Sequence, residues 1–520
     1  MKTLYINGKI FTPNGFKKCL LVEDGVIKEI YDVNKKITGV KTVNLKNNVL
    51  IPGFNDSHCH LFSLAKINSQ LVLNDVSSID EIIIKGKKFI DDNPGISFVF
   101  GRGYNDDLLL EKRILRKTDL DKISKEIPII ITRVCGHVQT INSKAIDLLG
   151  LKITDKIAGG EIEVFGNELS GVLYENAMNY TEEFFPLYEV SVVKTLLLKE
   201  INKANTLGLT SIQTNDINVN DKNYTIILNA YKELLEEGNL NIRITLQSTF
   251  NDIDEYIKFK YLIENNDFLK IGPLKIFLDG SLGAQSAYMK NPYKNDKRNF
   301  GISCYTNDDL YSIIKKSREE GVSIIAHAIG DAAVEQFLDC KEKVYGKTNP
   351  NRLGLVHCQI TNEDLLFRIG ELNVLVYAQP IFIDYDMDIL NLLVDKKTAN
   401  SSYAFNTLNK KTIVSFGTDA PVESLNCFKN IFCAVTRYNL KQTKQLNPSE
   451  AFTVNDAIKA YTYNSAFMSF DEGYLGLIKE GYAADFIILS KDIFTIDTSE
   501  LQSINILRTV VGGKEVYIKE

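Results

Sequence analysis

The sequence predicts an α/β protein: a (β/α)8 barrel carried on a smaller β domain made from both chain ends, with a further subdomain inserted after the first barrel strand. Three observations predict it. The middle of the chain alternates short apolar β-type runs with longer helical stretches, the pattern of a parallel sheet with crossover helices. The two ends instead alternate short strands with tight turns. Four of the five histidines close apolar runs, as side chains at one end of a shared sheet would.

Residues 3–50 give short β runs such as Leu4-Tyr-Ile-Asn-Gly8 and Leu20-Leu-Val-Glu-Asp-Gly25, and residues 474–520 repeat the style with Ala484-Asp-Phe-Ile-Ile-Leu489 and Thr509-Val-Val-Gly-Gly. Asp24-Gly25 and Gly512-Gly513 are hairpin-type turn pairs. Neither end holds enough strands for its own core. Residues 1–52 with 474–520 are therefore expected to form one composite β-sandwich, and residues 53–473 the barrel.

Eight core strands are expected: 49–58, 209–213, 242–247, 274–279, 322–327, 353–357, 374–379 and 413–419. Helical segments such as 225–237 and 332–344 separate most of them. The gap between the first two strands is far too long for one crossover. Residues from about 97 to 190 are accordingly expected to form an inserted subdomain over the mouth, where the βα loops emerge.

The bulk composition excludes several classes. At 520 residues, 44% hydrophobic and 24% charged, the chain reads as soluble and globular. A net charge of -6 without clustered basic residues argues against nucleic acid as a partner. No run approaches the ~18 apolar residues of a membrane span, and the N-terminus reads as a strand and turn rather than a signal peptide. Eight scattered cysteines without CxxC spacing suit free thiols and a cytoplasmic location. The expected partner is a small-molecule substrate, with a homodimer the natural oligomer.

His58-Cys59-His60 places two imidazoles two residues apart on an extended strand, so both face the same way while Cys59 faces outward into packing. His327 and His357 close the fifth and sixth runs, at the strand ends where barrel active sites are built. Each alone reads as a buried, hydrogen-bonded histidine; together with the first pair they read as metal ligands. Asp419, ending the eighth run, either caps the following helix or binds a metal and moves a proton. Lys275 shares a strand face with Phe277 and Asp279. A lysine in a barrel mouth is costly unless paired or altered. It either pairs with Asp279 or takes up carbon dioxide to become a carbamate, an anion able to bridge two cations.

These pieces together resemble the amidohydrolase superfamily, and within it the YtcJ-like, amidohydrolase 3 group that includes N-substituted formamide deformylases. The resemblance spans essentially the whole chain. It rests on Gly53-Phe-Asn-Asp-Ser-His58-Cys-His60, Gly136-His137 with Asn142-Ser-Lys-Ala145, Leu274-Lys275-Ile-Phe-Leu-Asp279-Gly-Ser, His327-Ala-Ile-Gly-Asp331, Leu355-Val-His357, Gly417-Thr-Asp419-Ala-Pro421 and Gly481-Tyr-Ala-Ala-Asp485-Phe. It implies a metal-dependent hydrolase that cleaves a C–N bond of an amide, formamide or cyclic amide through metal-activated hydroxide. It further implies two divalent cations, zinc or else iron, manganese or cobalt. His58 and His60 would hold one and His327 and His357 the other, with carboxylated Lys275 as the bridge. Asp419 would be both ligand and general acid/base, while His137, Asp279 and Gln379 would meet the substrate. The alternatives are a mononuclear deaminase of the same superfamily, with Lys275 unmodified, and a non-catalytic regulatory homologue.

Overall fold

The structure, a computed structural model, describes residues 2–134, 137–157, 160–184 and 188–519. It divides into two compact units, Met1–Leu64 with Glu189–Glu520, and Ala65–Tyr188.

The first unit is built on eight parallel strands: β1 (Phe54–Cys59), β2 (Leu209–Asn218), β3 (Arg243–Thr249), β4 (Leu269–Phe277), β5 (Ile324–Ala328), β6 (Gly354–His357), β7 (Leu375–Ala378) and β8 (Val414–Phe416). They neighbour one another in sequence order. β6, β7 and β8 are buried at every position, which is why they read as unbroken apolar runs rather than alternating ones. The sheet is nearly closed. Beyond the last strand, the Asp419 amide donates to the His58 carbonyl at 2.8 Å, and the His60 amide to the Ala420 carbonyl at 2.8 Å. Gly417 permits this approach, since a Cβ there would sit 2.7 Å from the His58 nitrogen and 2.8 Å from its oxygen. Crossover helices follow ordinary end rules. In Asn307–Glu319, Thr306 accepts from the Asp309 amide, acids occupy the first turn and Lys316 and Arg318 the last.

One expected strand proves to be two. The run 49–58 breaks at Gly53: Val49–Pro52 pairs with strands of the chain ends, and only β1 enters the barrel. Gly53 is the switch point because a side chain there would collide with Thr210, at 2.2 Å from its Cγ2. Apolar residues on both sides hide the change of sheet from a reading of hydrophobicity alone.

The chain ends form a four-stranded sheet (Lys2–Ile6, Cys19–Glu23, Val26–Tyr31, Lys41–Asn44) and a six-stranded one. The latter joins Lys9–Thr12, Gly15–Lys17 and Val49–Pro52 to Phe486–Leu489, Ile506–Val511 and Lys514–Ile518. Tyr5, Leu20, Val22 and Ile27 from the first sheet share one apolar cluster with Ile10, Leu50, Phe486, Ile488 and Val510 from the second. The Tyr5 and Phe486 rings meet edge to face at 5.0 Å. Asp485 ties this region to the barrel. It accepts from Arg243 of β3 through both oxygens, at 2.7 and 3.1 Å, and from the Gly512 amide at 2.7 Å. Both charges are nearly fully buried. Removing one partner strands the other, which costs about 3–5 kcal/mol. Asp485→Ala should therefore lower the free energy of unfolding by about 3 kcal/mol in urea titrations; a loss below about 1 kcal/mol would show the pair to be dispensable.

The second unit holds a six-stranded sheet: Gly160–Phe165, Glu168–Glu175, Val138–Ile141, Ile129–Arg133, Val99–Tyr104 and Leu71–Val72, in that neighbour order. It begins at Ala65, earlier than the boundary near 97 read from the sequence. The cause is the helix Ile79–Asp92. Ser78 caps it, and its Ile79, Ile82 and Ile83 pack with Leu73, Val99, Ile129 and Ile131.

No helix among the described residues is long and apolar enough to cross a membrane. The described cysteines are free thiols.

Candidate metal centre

Strand register brings the distant polar residues to one end of the barrel. Lys275 and Phe277 of β4 stand opposite Ile325 and His327 of β5, and Ala328 of β5 stands opposite His357 of β6. His58 lies on β1, with His60 just beyond its end, and Asp419 just beyond β8. His357, at the end of β6, and Asp419 carry positive φ angles of 74° and 55°. Such backbone is strained for non-glycine residues and is retained where the surroundings enforce it.

Asp419 is the focus. Its Oδ1 lies 3.2 Å from His60 Nε2 and 3.6 Å from His58 Nε2. Among the described residues, the ligand atoms of these three fall within 4.8 Å of one another. Lys275 Nζ sits 3.4 Å from His58 Nε2 and 4.2 Å from the centre of the Phe277 ring. The second histidine pair adjoins the first. The ring centres of His58 and His357 are 6.1 Å apart, and those of His327 and His357 are 4.6 Å apart. Phe277 flanks His327 at 5.6 Å, and Phe382 stacks on His357 at 5.7 Å.

Every one of these imidazoles has an acceptor at Nδ1. Gln247 Oε1 lies 2.5 Å from that of His58, the Asn215 carbonyl 3.3 Å from that of His60, Asp279 Oδ1 2.9 Å from that of His327, and Gln379 Oε1 2.9 Å from that of His357. A neutral imidazole donating from Nδ1 keeps a lone pair on Nε2. His58 and His60 thus aim lone pairs at a carboxylate oxygen, which itself lacks a hydrogen-bond partner despite being buried. Acceptors facing acceptors at this range repel unless a cation lies among them. The donor set, imidazole nitrogen plus carboxylate oxygen, fits a divalent transition metal. Outward-facing nitrogens held by fixed acceptors are the usual surroundings of metal-bound histidine.

The electrostatics agree. Burial, and then the nearby Lys275, push His58 well below the usual imidazole range; burial, and then His327, do the same to His357. Both are neutral and ligand-competent. Burial alone would raise the Asp419 carboxyl, but a hydrogen bond from His60 and positive charge on His357 and His58 would outweigh it and hold it well below its ordinary range; with those imidazoles neutral, a bound cation would have to supply that charge. Burial brings Lys275 down to about 8, partly opposed by Asp419. Its amine is therefore far more available in neutral form than that of an exposed lysine.

Two residues expected to touch substrate lie against the site histidines. Asp279 and Gln379 are both buried, and each offers an oxygen to a histidine Nδ1. A strand-end polar residue and a residue supporting its neighbour's imidazole look alike in sequence. The Lys275–Asp279 ion pair left open above does not occur, because Asp279 turns to His327 and backbone amides instead. His137 belongs to the second unit, where it is exposed with its Nδ1 3.0 Å from Glu175. Cys59 and Cys358 are fully buried, and burial pushes the Cys358 thiol up to about 12. Cys135 lies outside the described residues.

Gln247 was missed as a supporting residue, although it is the polar terminus of an apolar run, the same signal that marked His327. Asp56 was missed too. It accepts from the His58 amide, the Thr418 amide and the Thr418 hydroxyl, pinning β1 to the end of β8. Its carboxyl is pushed up to about 7 by burial, which those hydrogen bonds only partly offset.

Glu423, four residues past Asp419, is raised from 4.5 to about 7, first by burial and then by Asp384 and Asp386. A carboxyl whose folded pKa exceeds its unfolded one loses stability as pH rises through the interval between them, here 4.5 to about 7. Glu423→Gln should thus stabilise the protein at pH 8 by about 1–2 kcal/mol, a figure reduced for partial exposure, and leave it unchanged near pH 4.5. Equal melting shifts at both pH values would refute this.

A model of the amidohydrolase family matches residues 41–517. The chain belongs to the amidohydrolase family. This amidohydrolase is 31% identical to "Putative amidohydrolase YtcJ" of Bacillus subtilis (strain 168), over the full length of both chains. It is 23% identical to "N-substituted formamide deformylase" of Arthrobacter pascens, across 98% of this chain and 97% of that one. Among solved structures it resembles an uncharacterized metal-dependent hydrolase from Pyrococcus furiosus, with a TM-score of 0.80 and 28% identity over 95% of this chain and 100% of that one.

Proposed function

We propose that this amidohydrolase hydrolyses a C–N bond of a small molecule, an amide, formamide or cyclic amide, at a centre for two divalent cations. The observation that carries the reading is the set of four imidazoles, each turned by an acceptor at Nδ1, around an ionised carboxylate whose Oδ1 has no proton donor. The likeness to the formamide deformylase supports the choice of bond.

His58, His60 and Asp419 would hold one cation, and His327 and His357 the other. Zinc, iron, manganese and cobalt all suit this donor set. When bound, such cations polarise a carbonyl and bring the pKa of water near neutrality. Lys275 would supply the bridging anion. Its neutral Nζ bonds to the carbon of carbon dioxide and releases one proton, leaving a carbamate. The lowered Lys275 pKa supports this step, because only the unprotonated amine reacts. Asp419, ionised at neutral pH, accepts the proton of the attacking water and returns it to the departing nitrogen. Phe277 and Phe382 flank the second histidine pair with apolar rings.

A mononuclear deaminase remains the second reading, favoured by the compactness of the His58, His60 and Asp419 set alone. A hydrolysis screen of N-acyl, N-formyl and cyclic amides beside aminated purines and pyrimidines, using metal-loaded protein, separates the two. Release of an amine with a carboxylate supports the amidohydrolysis proposed here; turnover confined to ammonia release from the ring substrates overturns it.

A further inference from the structure

The four supporting contacts are not equal. Gln247 and Gln379 present amide oxygens, and His60 meets a main-chain carbonyl. Only His327 is backed by a carboxylate, that of Asp279. That carboxylate is itself fixed with unusual completeness. It accepts from the Gly330 amide at 2.7 Å, from the Ile329 amide at 3.1 and 3.2 Å, and from the Tyr288 amide at 3.1 Å. It is 4% exposed, and no lysine or arginine among the described residues pairs with it. Three backbone donors stabilise the negative charge and leave it one direction in which to act, toward His327 Nδ1.

From this we infer that Asp279 is a positioning residue selective for one of the two cation positions, that of His327 and His357. The inference rests on the two-cation reading above. A carboxylate behind an imidazole strengthens the ring as a donor and fixes its rotation, and losing such a partner typically costs about 10–100-fold in metal affinity. Charge explains why the asymmetry is needed. The His58 and His60 position has Asp419 as an anionic ligand, whereas the His327 and His357 position has two neutral imidazoles and gains an anion only if Lys275 is carboxylated. Asp279 supplies negative charge behind one of those imidazoles from a site that needs no modification. The same carboxylate joins the segment after β4 to the start of the helix Asp331–Tyr345, so His327 and the surrounding loop are held by one group.

The test uses full-length protein, stripped with a chelator and titrated with zinc alone against a competing chromophoric chelator. The wild type should show two binding events, and His327→Ala identifies which belongs to the His327 position. In Asp279→Asn that event should weaken by about 10–100-fold, while the other event and the melting temperature of the stripped protein stay close to wild type. Gln247→Ala, behind His58, should weaken the other event instead. If Asp279→Asn does not fold, Asp279→Glu keeps the charge but moves it by one methylene, and the same event should weaken. An unchanged His327 event, or equal weakening of both events with a lowered melting temperature, would overturn the inference and leave the two-cation reading standing. A wild type that takes up no zinc would sink both.

Discussion

Replacing Asp419 with asparagine is expected to reduce turnover by about 1,000-fold or more, while leaving the fold intact and most of the metal in place. The amide is nearly isosteric, so the Asp419 backbone amide keeps its bond to the His58 carbonyl and the barrel end stays closed. What the substitution removes is the ionised oxygen that faces His58 and His60. Asparagine still offers a neutral oxygen, but it can neither accept a proton from water nor return one to a leaving nitrogen. The loss should therefore appear in kcat far more than in KM, and should not recover with added metal. A variant with near-normal kcat would remove Asp419 from proton transfer.

The second large effect is expected at Lys275. Lys275→Ala should lower the bound metal from about two equivalents to about one or fewer and cut activity in proportion. Short carboxylic acids such as acetate should restore part of both, because the vacated space and the missing anion are what they replace. In the intact wild type, gentle mass analysis should find a fraction of chains heavier by one carbon dioxide. That fraction should grow as pH rises through about 8, the folded pKa of Lys275, since the neutral amine is the reactive form. The sign for stability runs the same way. A lysine with its pKa depressed by burial opposes folding below that value, and the penalty fades as pH rises from about 8 toward the unfolded 10.5. Metal content unchanged in Lys275→Ala would exclude the bridge.

Much of this was legible from the chain, for identifiable reasons. Parallel strands buried on both faces leave uninterrupted apolar runs, so β5, β6 and β7 could be located within a residue or two, and the polar residue ending each run marked the mouth. What could not be read was which way those polar residues turn. Asp279 and Gln379 sit where substrate-facing groups would, and only coordinates reveal that their oxygens serve His327 and His357. Gln247 carries the same signal, but a glutamine at a strand end has many uses. The run 49–58 reads as one strand because the residues on both sides of Gly53 are apolar, although the expected domain boundary falls between Pro52 and Gly53. The early start of the second unit was hidden because a helix with an apolar stripe could as well have belonged to the barrel.

The account stands on two cations gathered by side chains from five strand ends. An anomalous difference map from a metal-loaded crystal measures this directly. Two peaks are expected, one touching His58, His60 and Asp419, the other His327 and His357. A single peak on the first set, or density on neither, would contradict it.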